Sequence, residues 1–335
     1  MYHNYVGIDI AAATFTAAWQ TDHEWHDTTL DQRRSDYARL VHCLRQVASP
    51  DETLIVLEVT STYWLALAWF LYEAGFVVSV IAPTQANLYA RLERQLAKTD
   101  RIDAHLLADF ARDRQPDAWT PPPAISDQLQ QRLSQRHDLL AIKNEEANRL
   151  HALYHHPRAE QSVVDRLERH IAYLQVEIDA LDRELAQLLA ADHEWTAAAH
   201  RLQTIPGVGP MVAAWILVAT QCFAHCPTPD QAAAFAGLVP YRRESGSSRR
   251  GYRPVGRGGH AALRTALFMA ALSAAQVNPC IQPVYQRLLA RGKPHKVARV
   301  ACARKLIRIA WALVVKERDF DPTFAHQPKF MALAT

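Results

Sequence analysis

Four acids in the first third of the chain stand where carboxylates are costly unless they are used. Asp9 falls inside the apolar run Val6-Gly7-Ile8-Asp9-Ile10, and Glu58 closes the apolar run Leu54–Leu57. Asp100 and Asp103 sit three apart in Lys98-Thr99-Asp100-Arg101-Ile102-Asp103-Ala104, a spacing that turns both to one side of a helix. An acid in an apolar strand carries a desolvation cost. If the strands holding 9 and 58 are neighbours, the two acids stand side by side. Four converging carboxylates then repel one another unless cations join them. Mg²⁺ takes oxygen ligands and leaves positions for phosphate oxygens. Two such ions about 3.5–4 Å apart stabilise the attacking and leaving oxygens of phosphoryl transfer. Asp103 taken alone reads better as a solvated acid, with Arg101 and Arg112 close in sequence.

A second group lies beyond residue 200. Tyr241–His260 reads YRRESGSSRRGYRPVGRGGH and places Ser245, Ser247 and Ser248 among arginines in a glycine-rich loop. A hydroxyl is a poor nucleophile unless helped. Arginines supply help by neutralising a phosphodiester and its transition state. The residues alone leave two readings open: a nucleophilic serine, or a loop whose serines only touch phosphate. Ile205-Pro-Gly-Val-Gly-Pro210 separates two helical patterns, Ala197–Thr204 and Met211–Thr220. Glycines 207 and 209 let a backbone approach phosphate, and the second helix offers free N–H groups. A simple turn is the plainer alternative.

The elements that position these groups follow from periodicity. Strands are predicted at 4–10, 13–19 and 24–30, as an antiparallel meander. Tyr37, Leu40, Val41, Leu44 and Val47 give a helix over 34–48. A buried strand ends at Glu58. Ser61 or Thr62 caps a helix running to about Ala74, and Val77–Ile81 is another strand. Helices follow from about Thr84 and from near Thr99 to before Pro116. The order βββαβαβα predicts a mixed α/β sheet over 1–118. Thr120-Pro-Pro-Pro-Ala is a stiff linker. Residues 119–195 then hold the linker and two long helices, 126–155 and 160–191. From Leu167 the second has the apolar seam Leu167, Ile171, Leu174, Ile178, Leu181, Leu185, Leu188, a heptad with charged flanks. It fits a hairpin within the chain and a coiled coil between chains. The remainder, 196–335, is mainly helical, with helices at 261–275, 281–290 and 296–316 and an irregular tail after Asp319.

Composition sets bounds. The chain has 335 residues, 49% apolar and 21% charged, which excludes wholesale disorder and collagen-like structure. The net charge of +3 hides a segregation. Residues 241–308 hold fifteen Lys or Arg and one acid, Glu244; that surplus of fourteen leaves the other 267 residues at −11. A basic block on an acidic chain suggests a polyanion partner for the block. Arg outnumbers Lys 30 to 7, and its planar fork suits phosphate. Five cysteines in a chain of this length are no disulfide framework. Cys222-x3-Cys226 with His225 is a weak metal signal without a second ligand pair, and reads as packing. The N-terminus enters a strand at once, and no run is long enough to span a bilayer, which predicts a soluble, cytosolic protein.

The motifs, taken together, resemble the DEDD transposases of insertion sequence family 110, also described as bridge-RNA-guided serine recombinases, with Piv-type DNA invertases as relatives. The resemblance rests on VGID at 6–9, LEVTSTY at 57–63, KTDRIDA at 98–104, IPGVG at 205–209, FAGLVP at 235–240, ESGSSRRG at 244–251, GKPHKVA at 292–298 and ARKL at 303–306. One departure is Gly256-Arg257-Gly258-Gly259-His260, where relatives often have Lys-x-Gly. The resemblance implies a RuvC-like, RNase H-fold domain over 1–118, a coiled-coil arm, and a transposase domain over 196–335 with a helix-hairpin-helix-like element. It implies that Asp9, Glu58, Asp100 and Asp103 bind Mg²⁺ or Mn²⁺ and that Ser245 is the nucleophile, through a covalent phosphoserine link. No nucleotide cofactor is implied. Gly207, Gly209, Arg242, Arg243, Ser247, Ser248, Arg249, Arg250, Arg253, Arg257, Lys293, Lys296, Arg304 and Lys305 are the candidate nucleic-acid contacts. The implied partners are a noncoding guide RNA encoded by the element, donor and target duplex DNA, and further copies of the chain, as a dimer or a tetramer built as a dimer of dimers, with acids of one protomer meeting Ser245 of another. The implied location is the bacterial cytosol, on the nucleoid when active. Two rivals stand beside this reading. One is a metal-dependent junction-resolving nuclease in which water attacks. The other is a non-catalytic RNA- or DNA-binding scaffold.

Overall fold

The computed structural model describes residues 2–59, 61–95, 97, 99–240, 242–245, 249–252 and 258–323, with 242–245 and 249–252 as backbone only. The chain divides into two compact units, 1–121 and 122–335.

The first unit is mixed α/β. Strands β1 (Asn4–Ile10), β2 (Thr14–Thr21) and β3 (Glu24–Asp31) form the expected antiparallel meander. Helix α1 (Arg34–Arg45) follows, three residues shorter than its apolar pattern predicts, and a 3-10 turn at Pro50–Glu52 leads into β4 (Thr53–Glu58). Then come α2 (Trp64–Glu73), β5 (Val77–Ile81), α3 (Pro83–Leu92) and α4 (Asp100–Arg114). The sheet order is β3-β2-β1-β4-β5, with β4 parallel to both β1 and β5. Neither Ser61 nor Thr62 caps α2: its N-cap is Tyr63, without a side-chain hydrogen bond, and Ser61 has φ 56°.

Alternation along the strands sorts side chains between two faces. Val6, Ile8 and Ile10 of β1 share one face with Ile55 and Leu57 of β4, under Leu40 and Leu44 of α1 and Leu67 and Leu71 of α2. Leu54 and Val56 point the other way, against Leu107, Phe110 and Ala111 of α4. Asp9 and Glu58 continue the second set, on the α4 side.

Beyond α4 the chain runs along β5. The Trp119 N–H donates to the Val78 carbonyl at 2.7 Å, and the Ser79 hydroxyl lies 2.9 and 2.8 Å from the carbonyls of Pro116 and Asp117. The Trp119 ring stands edge-on to Trp64, Trp69 and Tyr72. The proline linker starts from this anchor.

The second unit is mostly helical. Helices α5 (Ala124–Tyr154) and α6 (Gln161–Ala191) form an antiparallel hairpin within the chain. Arg132 pairs with Glu184 at 2.8 Å, Arg136 with Asp182, and His170 of α6 lies 3.5 Å from Glu146. Leu174, Ile178, Leu181 and Leu185 of the heptad seam are buried, whereas Leu167, Ile171 and Leu188 are half-buried. At the base, Leu129, Leu133, Leu185 and Leu189 join the core of the following helices. These are α7 (His193–Gln203), α8 (Pro210–Thr220), α9 (Pro229–Phe235), α10 (Ala261–Val277), α11 (Gln282–Ala290) and α12 (His295–Val315). Cys226, Cys280 and Cys302 are buried in that core. Part of the stretch read as a glycine-rich loop is instead a β-hairpin, β6 (Arg242–Ser245) against β7 (Arg249–Tyr252). The tail at 324–335 lies outside the described residues. Among those described, no helix is long and apolar enough to cross a membrane.

Candidate catalytic and nucleic-acid-binding residues

Register brings the first two acids together. Ile8 pairs with Leu57 in the parallel β1–β4 ladder, so Asp9 and Glu58 are the next residues of neighbouring strands, on one face. Helix α4 brings the other two. Gly7 makes this possible: a Cβ there would lie 2.1 Å from the Ala104 carbonyl oxygen and 2.3 Å from the Ala108 nitrogen. The helix backbone therefore rests directly on β1, with no room for a side chain. Asp100 and Asp103 occupy its first turn, just before Ala104. Thr99 caps that turn, its hydroxyl accepting from the Ile102 N–H at 3.3 Å. Acids in a first turn also suit the positive end of the helix dipole.

The electrostatics record the convergence. Asp9 is pushed up to about 6, first by burial, then by the negative charges of Asp103, Asp100 and Glu58; the backbone at Ile10 opposes the shift. The other three acids thus all act on Asp9. A divalent cation would relieve that repulsion, and four carboxylates are the donor set of a hard, oxygen-binding ion. Among the described residues, no three His, Cys, Asp or Glu groups are already drawn together in metal-holding geometry. The four acids fit a cation by charge and donor type.

The second unit holds the remaining candidates. Ser245 ends β6 opposite Arg249, Arg242 pairs with Tyr252, Arg243 with Gly251, and Arg250 with Glu244. Ser247, Ser248, Arg253 and Arg257 lie outside the described residues. The turn between α7 and α8 treats its glycines differently. Gly207 has φ +95°, and a Cβ there would lie 2.7–2.8 Å from Ala274 of α10, so packing alone requires a glycine. Gly209 faces open space at the N-cap of α8. Lys293 and Lys296 are exposed where α11 turns into α12. Arg304 and Lys305 lie about two turns further along α12 and are partly buried. The Arg304 guanidinium is 3.6 Å from Asp230, and burial pulls the Lys305 ammonium below its usual range.

Some structural residues leave no motif in the sequence. Asn278, wholly buried, ties the α7–α8 turn to α10: its Nδ2 donates to the Pro206 carbonyl at 3.0 Å, and its Oδ1 accepts from the Cys280 and Ile281 N–H groups.

A sheet presenting acids at one end and a helical unit with a surplus of Lys and Arg suit work on a polyanion. Comparison with known proteins gives the family. Residues 6–155 match a transposase family of the DEDD, IS110 type, and residues 199–286 match the family described as "Transposase IS116/IS110/IS902 family". The "Pilin gene-inverting protein" of Moraxella bovis is 30% identical over 325 residues, covering 96% of this chain and 98% of that one. Its counterpart in Moraxella lacunata is 29% identical over the same shares. The "Insertion element IS110 uncharacterized 43.6 kDa protein" of Streptomyces coelicolor is 33% identical over 151 residues, 41% of this chain and 37% of that one. The chain belongs to the IS110 family of transposases.

Proposed function

We propose that the protein is an RNA-guided DNA recombinase of a bacterial insertion sequence, working in the cytosol through a serine nucleophile and a metal-binding acidic site. The observation that carries the metal half is the negative charge of Asp103 and Asp100 of α4 and of Glu58 of β4 bearing on the half-buried Asp9 of β1. In this reading residues 1–118 are a RuvC-like, RNase H-fold domain that holds Mg²⁺ or Mn²⁺, 119–195 are linker and coiled-coil arm, and 196–335 carry the nucleophile. When bound, the cation supplies Lewis acidity toward a scissile phosphate. The four acids hold and orient it. The Ser245 oxygen attacks phosphorus and its hydroxyl proton is lost. The P–O3′ bond breaks, and the leaving oxygen takes up a proton as a free 3′-hydroxyl. The phosphoserine link keeps the bond energy for rejoining, so no nucleotide cofactor enters. The arginines of β6 and β7, with Lys293, Lys296 and the Gly209 turn, contact phosphate backbone. Base pairing by a guide RNA supplies sequence choice for donor and target DNA, a division of labour that suits a chain rich in Arg without a recognition-helix motif. The α5–α6 arm serves assembly into a dimer or a dimer of dimers.

The test incubates the full-length protein with donor DNA, target DNA, copurified RNA and Mg²⁺, and resolves protein–DNA adducts on denaturing gels. Wild type gives an adduct and recombinant product; Ser245→Ala gives neither, while still binding RNA. Cleavage by Ser245→Ala at the wild-type rate without an adduct establishes the water-using nuclease instead. Wild-type protein that binds RNA and DNA but yields neither adduct, cleavage nor recombinant product establishes the scaffold, and Asp9→Ala that recombines like wild type overturns the metal site.

A further inference from the structure

The flank of α4 turned away from the acids is gripped by the sheet's edge strand. Arg101 Nε lies 2.8 Å from an oxygen of Asp27 on β3, and His105 Nε2 lies 3.5 Å from the same oxygen. The His105 ring stacks on Trp25 of β3, centroids 4.0 Å apart and planes within 7°. Trp25 and Asp27 are two apart on β3, so both face α4. Residues 101 and 105 are one turn apart and lie about 160° round the helix axis from Asp103. Gly7 fixes how deeply the helix sits. The buried face Leu107, Phe110 and Ala111 sets the rotation of the helix from its second turn onward. The grip on 101 and 105 adds a constraint at the N-terminal end, where Asp100 and Asp103 stand.

We propose that Asp27 and Trp25 are positioning residues for the acidic site, clamping Arg101 and His105 so that α4 presents Asp100 and Asp103 toward Asp9 and Glu58. The inference rests on the metal-binding reading of those four acids. Stability is a poor account of the Arg101 half of the clamp. The Arg101 side chain is 64% exposed, and ion pairs so open to water add little. A group that orients metal ligands acts instead on affinity, by about 10–100-fold.

The experiment titrates Mn²⁺ into the metal-free full-length protein by calorimetry, with melting temperatures measured beside it. The proteins are wild type, Asp27→Ala, Trp25→Ala, Trp25→Phe and Asp9→Asn. The clamp predicts at least about tenfold weaker Mn²⁺ binding for Asp27→Ala and Trp25→Ala. Trp25→Phe keeps a stacking ring and should stay near wild type. Melting temperatures should not track the affinity loss. Trp25→Ala changes no charge, so its loss cannot come from altered field. Wild-type affinity in both alanine variants overturns the inference. So does a loss that follows lowered melting temperature, since that is a merely structural role. If wild type and Asp9→Asn bind Mn²⁺ alike, the metal reading itself fails and the inference falls with it.

Discussion

The carbonyl oxygen of Ala104 stands 2.1 Å from the point where a Cβ on Gly7 would be. One strand and one helix touch backbone to backbone there, and three of the four acids lie within a turn or two residues of that contact: Asp9 on the strand, Asp100 and Asp103 on the helix. The atoms in the way are main-chain, so no flexible side chain can swing aside.

Gly7→Ala should therefore be costly twice over. Overpacking a tight contact costs about 1–3 kcal/mol, to be read from urea unfolding. Lifting α4 should also weaken Mn²⁺ binding by more than the stability change explains. A Gly7→Ala protein with wild-type stability and affinity would show that α4 does not rest on β1 as described.

Asp9 gives a pH signature in metal-free protein. Its carboxyl rises from an ordinary 3.8 to about 6 on folding, through burial and then Asp103, Asp100 and Glu58. A raised carboxyl means that the folded state prefers the proton. The stabilising contribution is complete below about 3.8 and is lost as pH rises through about 6. Urea midpoints of wild type should fall across that window relative to Asp9→Asn, which should be the more stable protein at pH 7.5. Saturating Mn²⁺ should shrink the gap for wild type only. Parallel pH curves for the two proteins, without metal, contradict the convergence of the acids.

Asn278 tests the second unit. Its side chain makes three internal hydrogen bonds, to the Pro206 carbonyl and from the Cys280 and Ile281 N–H groups. Asn278→Ala strands those partners and should cost about 1–3 kcal/mol. Asn278→Asp keeps the acceptor, loses the donor to Pro206 and buries a charge, so it should be the worse of the two. An Asn278→Asp protein as stable as wild type rules out the donated bond.

Where local pattern decides structure, the sequence was readable. Asp9 was conspicuous because a carboxylate interrupts an apolar strand, and the two-residue period that buries Ile8 and Ile10 also sends Asp9 to the α4 face. The seam of α6 was readable for the same reason, and Leu174, Ile178, Leu181 and Leu185 are buried along it. What escaped was set by long-range packing. Nothing near Gly7 announces that residues 104 and 108 will lie on it. Asn278 and Trp119 look like ordinary residues until Pro206 and Val78 arrive from 72 and 41 positions away. Ser61 carried a capping side chain, but its left-handed backbone at φ 56° sits outside the cap, and Tyr63 took the place. The β6–β7 pairing was hidden by glycine and arginine content, which reads as loop.

The segment after α4 has a consequence for life at high concentration. A sheet edge with free N–H and C=O groups is a template for another chain's strand, and so for aggregation. Residues 116–119 lie along β5 and occupy its Val78 carbonyl and Ser79 hydroxyl. The opposite edge, β3, carries Glu24 at its start and Asp31 at its end, charges that disfavour pairing with a like strand, while Asp27 is held by Arg101. One border is covered and the other is charged, so the sheet offers a neighbouring copy no open edge on which to add a strand.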